Sequence, residues 1–131
     1  MVTEADMHRE LAVVDLSKRR IYLCFRGFLS LEQARNLAEE YRQAIAQVGR
    51  GYTVLSYFEG FKPGTPEIQE VISEMIKMAS DAGCRKAARV GGGSVLGPLQ
   101  LKRLSKELAS YAHRACKTWE EAEAYLDADD S

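Results

Sequence analysis

The sequence predicts one α/β domain built on a single layer of mixed, mainly parallel β-sheet. Short runs rich in β-branched and aromatic residues alternate with longer segments whose apolar residues recur at helical spacing. This alternation is typical of parallel strands joined by right-handed helical crossovers. Two strand-like runs at the start lack a helix between them and add one antiparallel strand. The expected order is β-β-α-β-α-β-α-β-α, a sheet of about five strands flanked by about four helices.

The length and composition suit one soluble domain. The chain has 131 residues, a net charge of -1 and 28% charged residues, and we expect a single domain over 1–131 with 1–9 and 128–131 as loose termini. No apolar run approaches the roughly 20 residues that span a bilayer. The polar, acidic start MVTEADMHRE does not resemble a signal peptide. We therefore expect a cytoplasmic protein with no membrane insertion.

The first half of the chain predicts a hairpin, a helix and a central strand. Residues 11–17 and 20–27 form the hairpin, and the second run has one plainly apolar face. Ser30 is a natural N-cap for a helix over 31–48, which Gly49 ends. Residues 52–58, YTVLSYF, carry no charge, as expected for a strand covered on both faces.

The second half repeats the alternation of helix and strand. Thr65 is in position to cap a helix that has Pro66 first and ends at Gly83. A fourth strand is predicted over 84–90, followed by a glycine-rich loop over 91–98 and a helix over 98–109. A fifth strand is predicted over 111–116 and a last helix over 118–128.

Four stretches resemble one known group of proteins. They are RGFLSLEQARNLAEEY after the opening hairpin, VLSYFEGFKPGTPE at the third strand, CRKAARV at the fourth strand, and the closing helix TWEEAEAYL. Together they are similar to the STAS-like superfamily, the fold of bacterial anti-sigma factor antagonists, and within it to the SpoIIAA-like group. The resemblance covers roughly residues 10–127 and consists of patterns of residue type.

The resemblance implies a protein-interaction module rather than an enzyme. In the best-studied members a kinase controls partner binding by phosphorylating a serine at the start of the helix after the third strand. This chain has no pair of serines there, and Ser56 stands where an aspartate is usual. Thr65 is the nearest hydroxyl at a helix N-terminus, so Thr65 and Ser56 are the candidate phosphorylation sites. Related members bind lipid-like or other small ligands.

The loop over residues 56–66 is the main candidate site, because partners of such folds meet the protein at strand-to-helix loops. Phe58 and Phe61 either cap the core or form an aromatic anchor for a partner or ligand. Thr65 is explained by capping alone. The partner- or ligand-binding candidates are Phe58, Glu59, Phe61, Lys62 and Thr65.

A second candidate is the glycine-rich loop, in which Gly92, Gly93 and Ser94 offer backbone N–H groups to an anion. A mobile turn explains the same residues. Residues 83–117 hold eight basic residues and one acidic residue, whereas 118–131 hold six acidic residues and no basic one. This pattern fits an acidic helix packed beside a basic patch, or a surface for an acidic partner or phosphorylated ligand. Without aromatic interleaving it does not indicate nucleic acid.

No arrangement of residues indicates catalysis, a metal or a cofactor. Cys24, Cys84 and Cys116 are widely spaced, so we expect buried, reduced thiols. His8 and His113 have no carboxylate at ligand spacing, and His113 lies in a strand-like run. We expect a non-catalytic module that docks another protein, with a homodimer also compatible with the edge strands. The alternative is a small-ligand carrier or an unrecognised enzyme, with a pocket between loops 58–66 and 91–98.

Overall fold

The structure of the protein is a computed structural model. It describes residues 2–8, 12–27, 29–59, 65–91 and 111–128.

The described residues form one five-stranded mixed sheet, as predicted. The strands lie side by side in the order in which they occur in the chain. The first pair is antiparallel, and the other three pairs are parallel. The strands are Ala12–Asp15 (β1), Arg20–Arg26 (β2), Thr53–Glu59 (β3), Lys86–Gly91 (β4) and Ala112–Cys116 (β5).

Three α-helices accompany the sheet in the described part of the chain. They are Leu31–Val48 (α1), Pro66–Asp81 (α2) and Trp119–Asp127 (α3), and a short 3-10 helix over Glu4–His8 precedes β1. The predicted helix over 98–109 lies outside the described residues. None of the described helices is long and apolar enough to cross a membrane.

The helix boundaries follow from local chemistry. The Ser30 hydroxyl accepts a hydrogen bond from the backbone N–H of Gln33, whose side chain accepts one from the Ser30 N–H in return, so α1 starts with a full capping box. Beyond α2, Gly83 has a φ of 81°, which favours glycine, and an added Cβ would lie 3.0 Å from the Arg50 guanidinium carbon. Another residue at this position would therefore strain the turn into β4.

Helices α1 and α2 cover one face of the sheet, which we call the α1–α2 face. Apolar residues at helical spacing bury against alternate residues of β2 and β3. Two buried tyrosines, Tyr41 and Tyr52, lie among them, and their hydroxyls are 2.6 Å apart. The buried side chains from α2 are Ile68, Val71, Ile72, Met75, Ile76 and Ala79.

Helix α3 and the N-terminal 3-10 helix cover the opposite face, which we call the α3 face. Tyr22 stacks on Trp119 with ring centroids 5.3 Å apart. Met7 is fully buried beside them in the same core. The prediction of a loose segment over residues 1–9 is therefore wrong for Met7, because the α3 face needs an apolar side chain there. Both faces of β2 are buried, although the sequence shows only one of them as plainly apolar.

A buried arginine ties α3 to the start of β2. Arg20 is 2% exposed. It donates hydrogen bonds from Nη1 to Glu123 Oε1 at 2.6 Å, from Nη2 to Asp127 Oδ1 at 2.8 Å, and from Nε to Thr53 Oγ1 at 2.9 Å. The guanidinium thus has an acceptor in each direction, which compensates the cost of its burial.

A buried lysine holds the end of the same helix. Lys86 donates from Nζ to the backbone oxygens of Tyr125 and Ala128, at 2.7 Å each. The last carbonyls of a helix have no partner within it, and a cation there also meets the negative end of the helix dipole. The predicted packing of an acidic helix against basic residues is therefore correct for Lys86. The carboxylates Glu123 and Asp127 of α3, however, pair with Arg20, which lies outside the basic segment 83–117.

We predict that Arg20→Met lowers the free energy of unfolding by about 3–5 kcal/mol, because it leaves Glu123 and Asp127 without their buried partner. The control is Arg42→Met, which removes an exposed pair with Glu39 and is expected to cost about 0–0.5 kcal/mol. Urea unfolding of both variants measures the difference. Equal losses in the two variants would contradict the anchoring role of Arg20.

Candidate functional site

Phe58 is part of the core at the carboxyl end of the sheet. It is 3% exposed and stacks on Phe25 with ring centroids 4.7 Å apart. The two residues are register partners on adjacent parallel strands, so their rings meet on the α1–α2 face. The core-capping interpretation is correct for Phe58, and the interpretation as an exposed anchor is wrong. Phe61 and Lys62 lie outside the described residues.

The next residues of the same two strands are charged and partly exposed. Arg26 ends β2 and Glu59 ends β3, in register with each other. Arg26 Nε lies 3.9 Å from Glu59 Oε2, and the two side chains are 33% and 45% exposed. A pair at this separation and exposure contributes little to stability. Glu59 is thus a partly exposed charge at the carboxyl end of the sheet.

Arg26 has hydrogen-bonding capacity that has no N or O partner among the described residues. Its Nε and Nη2 atoms are shielded from water and hydrogen-bond to nothing in the described part of the chain. Buried donors of this kind are rare, since each unmade hydrogen bond costs about 1–3 kcal/mol. At the carboxyl end of β2, two donors thus have no acceptor within the described part of the chain.

Thr65 occupies the N-cap position of α2 but does not cap it with its side chain. Its backbone is extended, with φ -65° and ψ 167°. The hydroxyls of Ser30 and Thr118 cap their helices, whereas that of Thr65 makes no such bond. Thr65 is exposed. The capping explanation of its hydroxyl is therefore wrong.

The hydroxyl of Thr65 interacts instead with Glu67 in the first turn of α2. The backbone N–H of Glu67 and then the Thr65 hydroxyl lower the pKa of the Glu67 carboxyl. The start of α2 therefore carries an exposed carboxylate beside an exposed hydroxyl. We refer to Arg26, Glu59 and Thr65 together as the carboxyl-end surface.

Ser56 does not belong to this surface. It is half-buried in β3 and faces α2. A kinase would have to displace the helix to reach it, so the accessible candidate for phosphorylation is Thr65. The anion-binding candidates Gly92, Gly93 and Ser94 lie outside the described residues, as does most of the predicted pocket between loops 58–66 and 91–98.

A cavity lies between α2 and the sheet, on the α1–α2 face. Its volume is about 60 Å³. Most of its described lining is apolar, and the polar side chains in it come from three strands and the residue before β5. The apolar lining includes Phe25, Val54, Phe58, Ile72, Met75 and Ile76, and the polar lining includes Ser56, Arg89, Tyr111 and His113.

The polar lining of the cavity is basic. Arg89 is 8% exposed, and burial lowers the pKa of its guanidinium. Burial, and secondly the nearby Arg89 charge, lower the pKa of His113. His113 is therefore neutral at pH 7, and the ring of Tyr111 packs edge-on against it at 6.5 Å. The placement of His113 in a strand, as predicted, is correct.

The sequence interpretation assigned Arg89 to a surface patch, but a signal for the cavity was present. In a strand, side chains alternate between the two faces. Ser56 alternates with Val54 and Phe58, and Arg89 pairs with Ser56 in register. Polar residues on a face shared with core residues therefore indicate a buried polar site.

The cysteines are buried thiols, as predicted. Burial raises the pKa of Cys24 and Cys116, and it raises the pKa of Cys84 to about 12. At neutral pH these groups are not thiolates, which are the reactive form. Among the described residues, no group of three His, Cys, Asp or Glu side chains is arranged to hold a metal ion.

Comparison of the chain with models of protein families, with curated protein sequences and with solved structures finds no match. The description of the chain as a five-stranded mixed α/β sheet with three described helices therefore rests on the structure and not on a known relative.

We predict that Phe58→Ala lowers the free energy of unfolding by about 3–5 kcal/mol, because it removes a stacked, buried ring. The neighbouring change Glu59→Ala is expected to stay within about 0.5 kcal/mol of the wild type. Denaturant unfolding of the two variants is the measurement. A mild effect of Phe58→Ala would show that Phe58 does not cap the core.

We predict that His113 makes the protein less stable in mild acid. Burial holds its pKa in the folded protein below the ordinary value of 6.5, so around and below that pH the unfolded state binds more protons than the folded state. The free energy of unfolding then falls as the pH drops from neutral through the folded pKa. Unfolding measured across this range should show a shallower fall for His113→Gln. An imidazole that titrates by NMR at or above 6.5 would contradict the prediction.

Proposed function

We propose that this protein is a non-catalytic regulatory module that docks a partner protein through the carboxyl-end surface and the surrounding segment 56–66. The observation that carries the proposal is Arg26, whose Nε and Nη2 donors are shielded and unused within the described residues. An acceptor on a partner, such as a carboxylate or a backbone carbonyl, would complete these hydrogen bonds. Charge-assisted bonds of this kind contribute about 1.5–3 kcal/mol each.

Thr65 supplies a means of regulation. Its hydroxyl is exposed and is not used as a helix cap. Phosphorylation would add about -1.5 to -2 charges at the start of α2. A phosphate is tolerated at a helix N-terminus, but here it would repel the Glu67 carboxylate and add to the charge of Glu59. We therefore propose that phosphorylation of Thr65 weakens docking.

The strand order and the antiparallel first strand support membership of the STAS-like superfamily as part of this proposal. Four parallel-paired strands with α1 and α2 on one face and α3 on the other fit the SpoIIAA-like group. The phosphorylated serine of that group has no equivalent here, so we propose that Thr65, the N-cap residue of α2, takes its place. We propose that the module acts in the cytoplasm.

We predict that Arg26→Gln reduces recovery of the partner at least about tenfold in affinity purification from the source cells, because charge-assisted hydrogen bonds are lost. Thr65→Glu should also reduce recovery of the partner. Arg42→Gln, which changes an exposed arginine on α1, is the matched control and should leave recovery unchanged. The measurement is quantitative mass spectrometry of proteins that co-purify with each immobilised variant.

Circular dichroism and thermal unfolding must show that all variants are folded. Recovery that is the same for Arg26→Gln and the wild type would contradict the proposed surface. Recovery that falls equally for Arg42→Gln would show that charge in general, and not this surface, is responsible.

A further inference from the structure

We infer that the groove between the N-terminal segment 2–8 and α3 is a docking site for a basic segment of a partner protein. We call it the α3 groove. It lies on the outer side of the α3 face and shares no residue with the carboxyl-end surface. The inference therefore does not depend on the docking function proposed for that surface.

The shape of the α3 groove is that of a cleft with two walls. Its volume is about 580 Å³, within the range of about 300–1,000 Å³ that ligand clefts occupy. One wall is the N-terminal segment, and the other is the side of α3 that carries Glu120, Ala124 and Asp127. These three residues span about two turns of the helix. A cleft of this length accommodates a short peptide segment.

The floor of the α3 groove is largely apolar. Val2 and Trp119 are mostly buried there, whereas Ala5 and Ala124 are exposed and have small side chains. The long aliphatic stems of lysine and arginine pack along apolar surface of this kind while their charged ends remain at the rim. The floor thus provides burial that a free metal ion would not use.

The α3 groove carries an excess of negative charge. Its described lining includes one cation, Lys18, and the carboxylates of Glu4, Glu120, Glu123 and Asp127. Lys18 and the buried Arg20 balance Glu123 and Asp127 within the chain. The carboxylates of Glu4 and Glu120 are therefore in excess in the described groove.

The two carboxylates in excess stand on opposite walls. Glu4 and Glu120 are exposed, and neither forms an ion pair with another described residue. Glu4 interacts with the hydroxyl of Tyr57, which is neutral because burial raises its pKa to about 12. A cationic side chain in the groove would meet a carboxylate on either side, whereas an acidic segment would be repelled. The charge of the groove thus complements a segment that carries lysine or arginine.

The experiment is a titration of the purified full chain with a synthetic peptide of lysine and alanine in alternation. The readout is the fluorescence of Trp119, the single tryptophan of the chain, which lines the groove. We expect a saturable change and a Kd that rises with salt concentration, because salt screens exposed charges. The same peptide with every lysine acetylated keeps the stems without the charge, and it should bind at least about tenfold more weakly.

Two variants test the assignment of the residues. Glu120→Lys reverses a charge of the groove and should raise the Kd for the lysine peptide at least about tenfold. Glu40→Lys, which reverses an exposed glutamate on α1, is the matched control and should leave the Kd unchanged. If Glu120→Lys does not fold, Ala124→Arg takes its place, since it fills the groove and adds a cation, with the same expected rise.

The proposal is overturned if the lysine peptide does not change the fluorescence saturably, if the acetylated peptide binds equally well, or if the groove variant binds like the wild type. Equal weakening by Glu40→Lys would show binding to acidic surface in general and would also overturn it. Native mass spectrometry of the chain alone covers the remaining occupant. A dimer that Glu120→Lys dissociates would assign the groove to a second copy of the chain and not to a separate partner.

Discussion

The structure depends on two buried cations that hold the last helix against the sheet. Arg20 and Lys86 stand at the amino ends of β2 and β4, and both reach the C-terminal part of α3. Without α3, the side chains of Tyr22, Cys24 and Leu55 would lose their cover. The apolar contacts of α3 are non-directional, whereas the hydrogen bonds of Arg20 and Lys86 fix its position along the strands.

This anchoring divides the polar groups of the sheet into two sets. At the amino ends of the strands, Arg20 is matched by Thr53, Glu123 and Asp127, so the charges there are used in folding. At the carboxyl ends, Arg26 and Glu59 approach only to 3.9 Å. The first set contributes to the stability of the fold, whereas the long, partly exposed contact between Arg26 and Glu59 contributes little. The carboxyl ends are therefore where binding to another molecule can be sought, as in other open α/β sheets.

Most of the fold could be predicted from the sequence because its signals are local. The helix over 31–48 agrees with its apolar periodicity and its capping serine. Residues 53–58 of β3 carry no charge, as expected for a strand covered on both faces. The burial of Lys86 could not be predicted, because its acceptors on α3 are about 40 residues away. Met7 was missed for a similar reason, since a polar, acidic segment contributes a single apolar side chain to the core.

The site was less predictable because its residues come from separate strands. Phe58 had two interpretations of equal chemical merit, and only its stacking on Phe25 separates them. Thr65 has the residue type and position of a cap, and only the hydroxyl direction shows otherwise. Local pattern determines which residues stand in a strand or at a helix start. It does not determine which neighbour a side chain meets.

The core under α1 and α2 also contains polar groups, and they lie in two different surroundings. Tyr41 and Tyr52 place their hydroxyls 2.6 Å apart, so a neutral donor and acceptor satisfy each other without a ligand. Around Arg89 the described cavity lining is neutral, with Ser56, Tyr111 and His113 as its polar members. The α1–α2 face thus combines a pair of hydroxyls that satisfy each other with a cavity whose polar side chains Ser56, Arg89 and His113 come from three neighbouring strands.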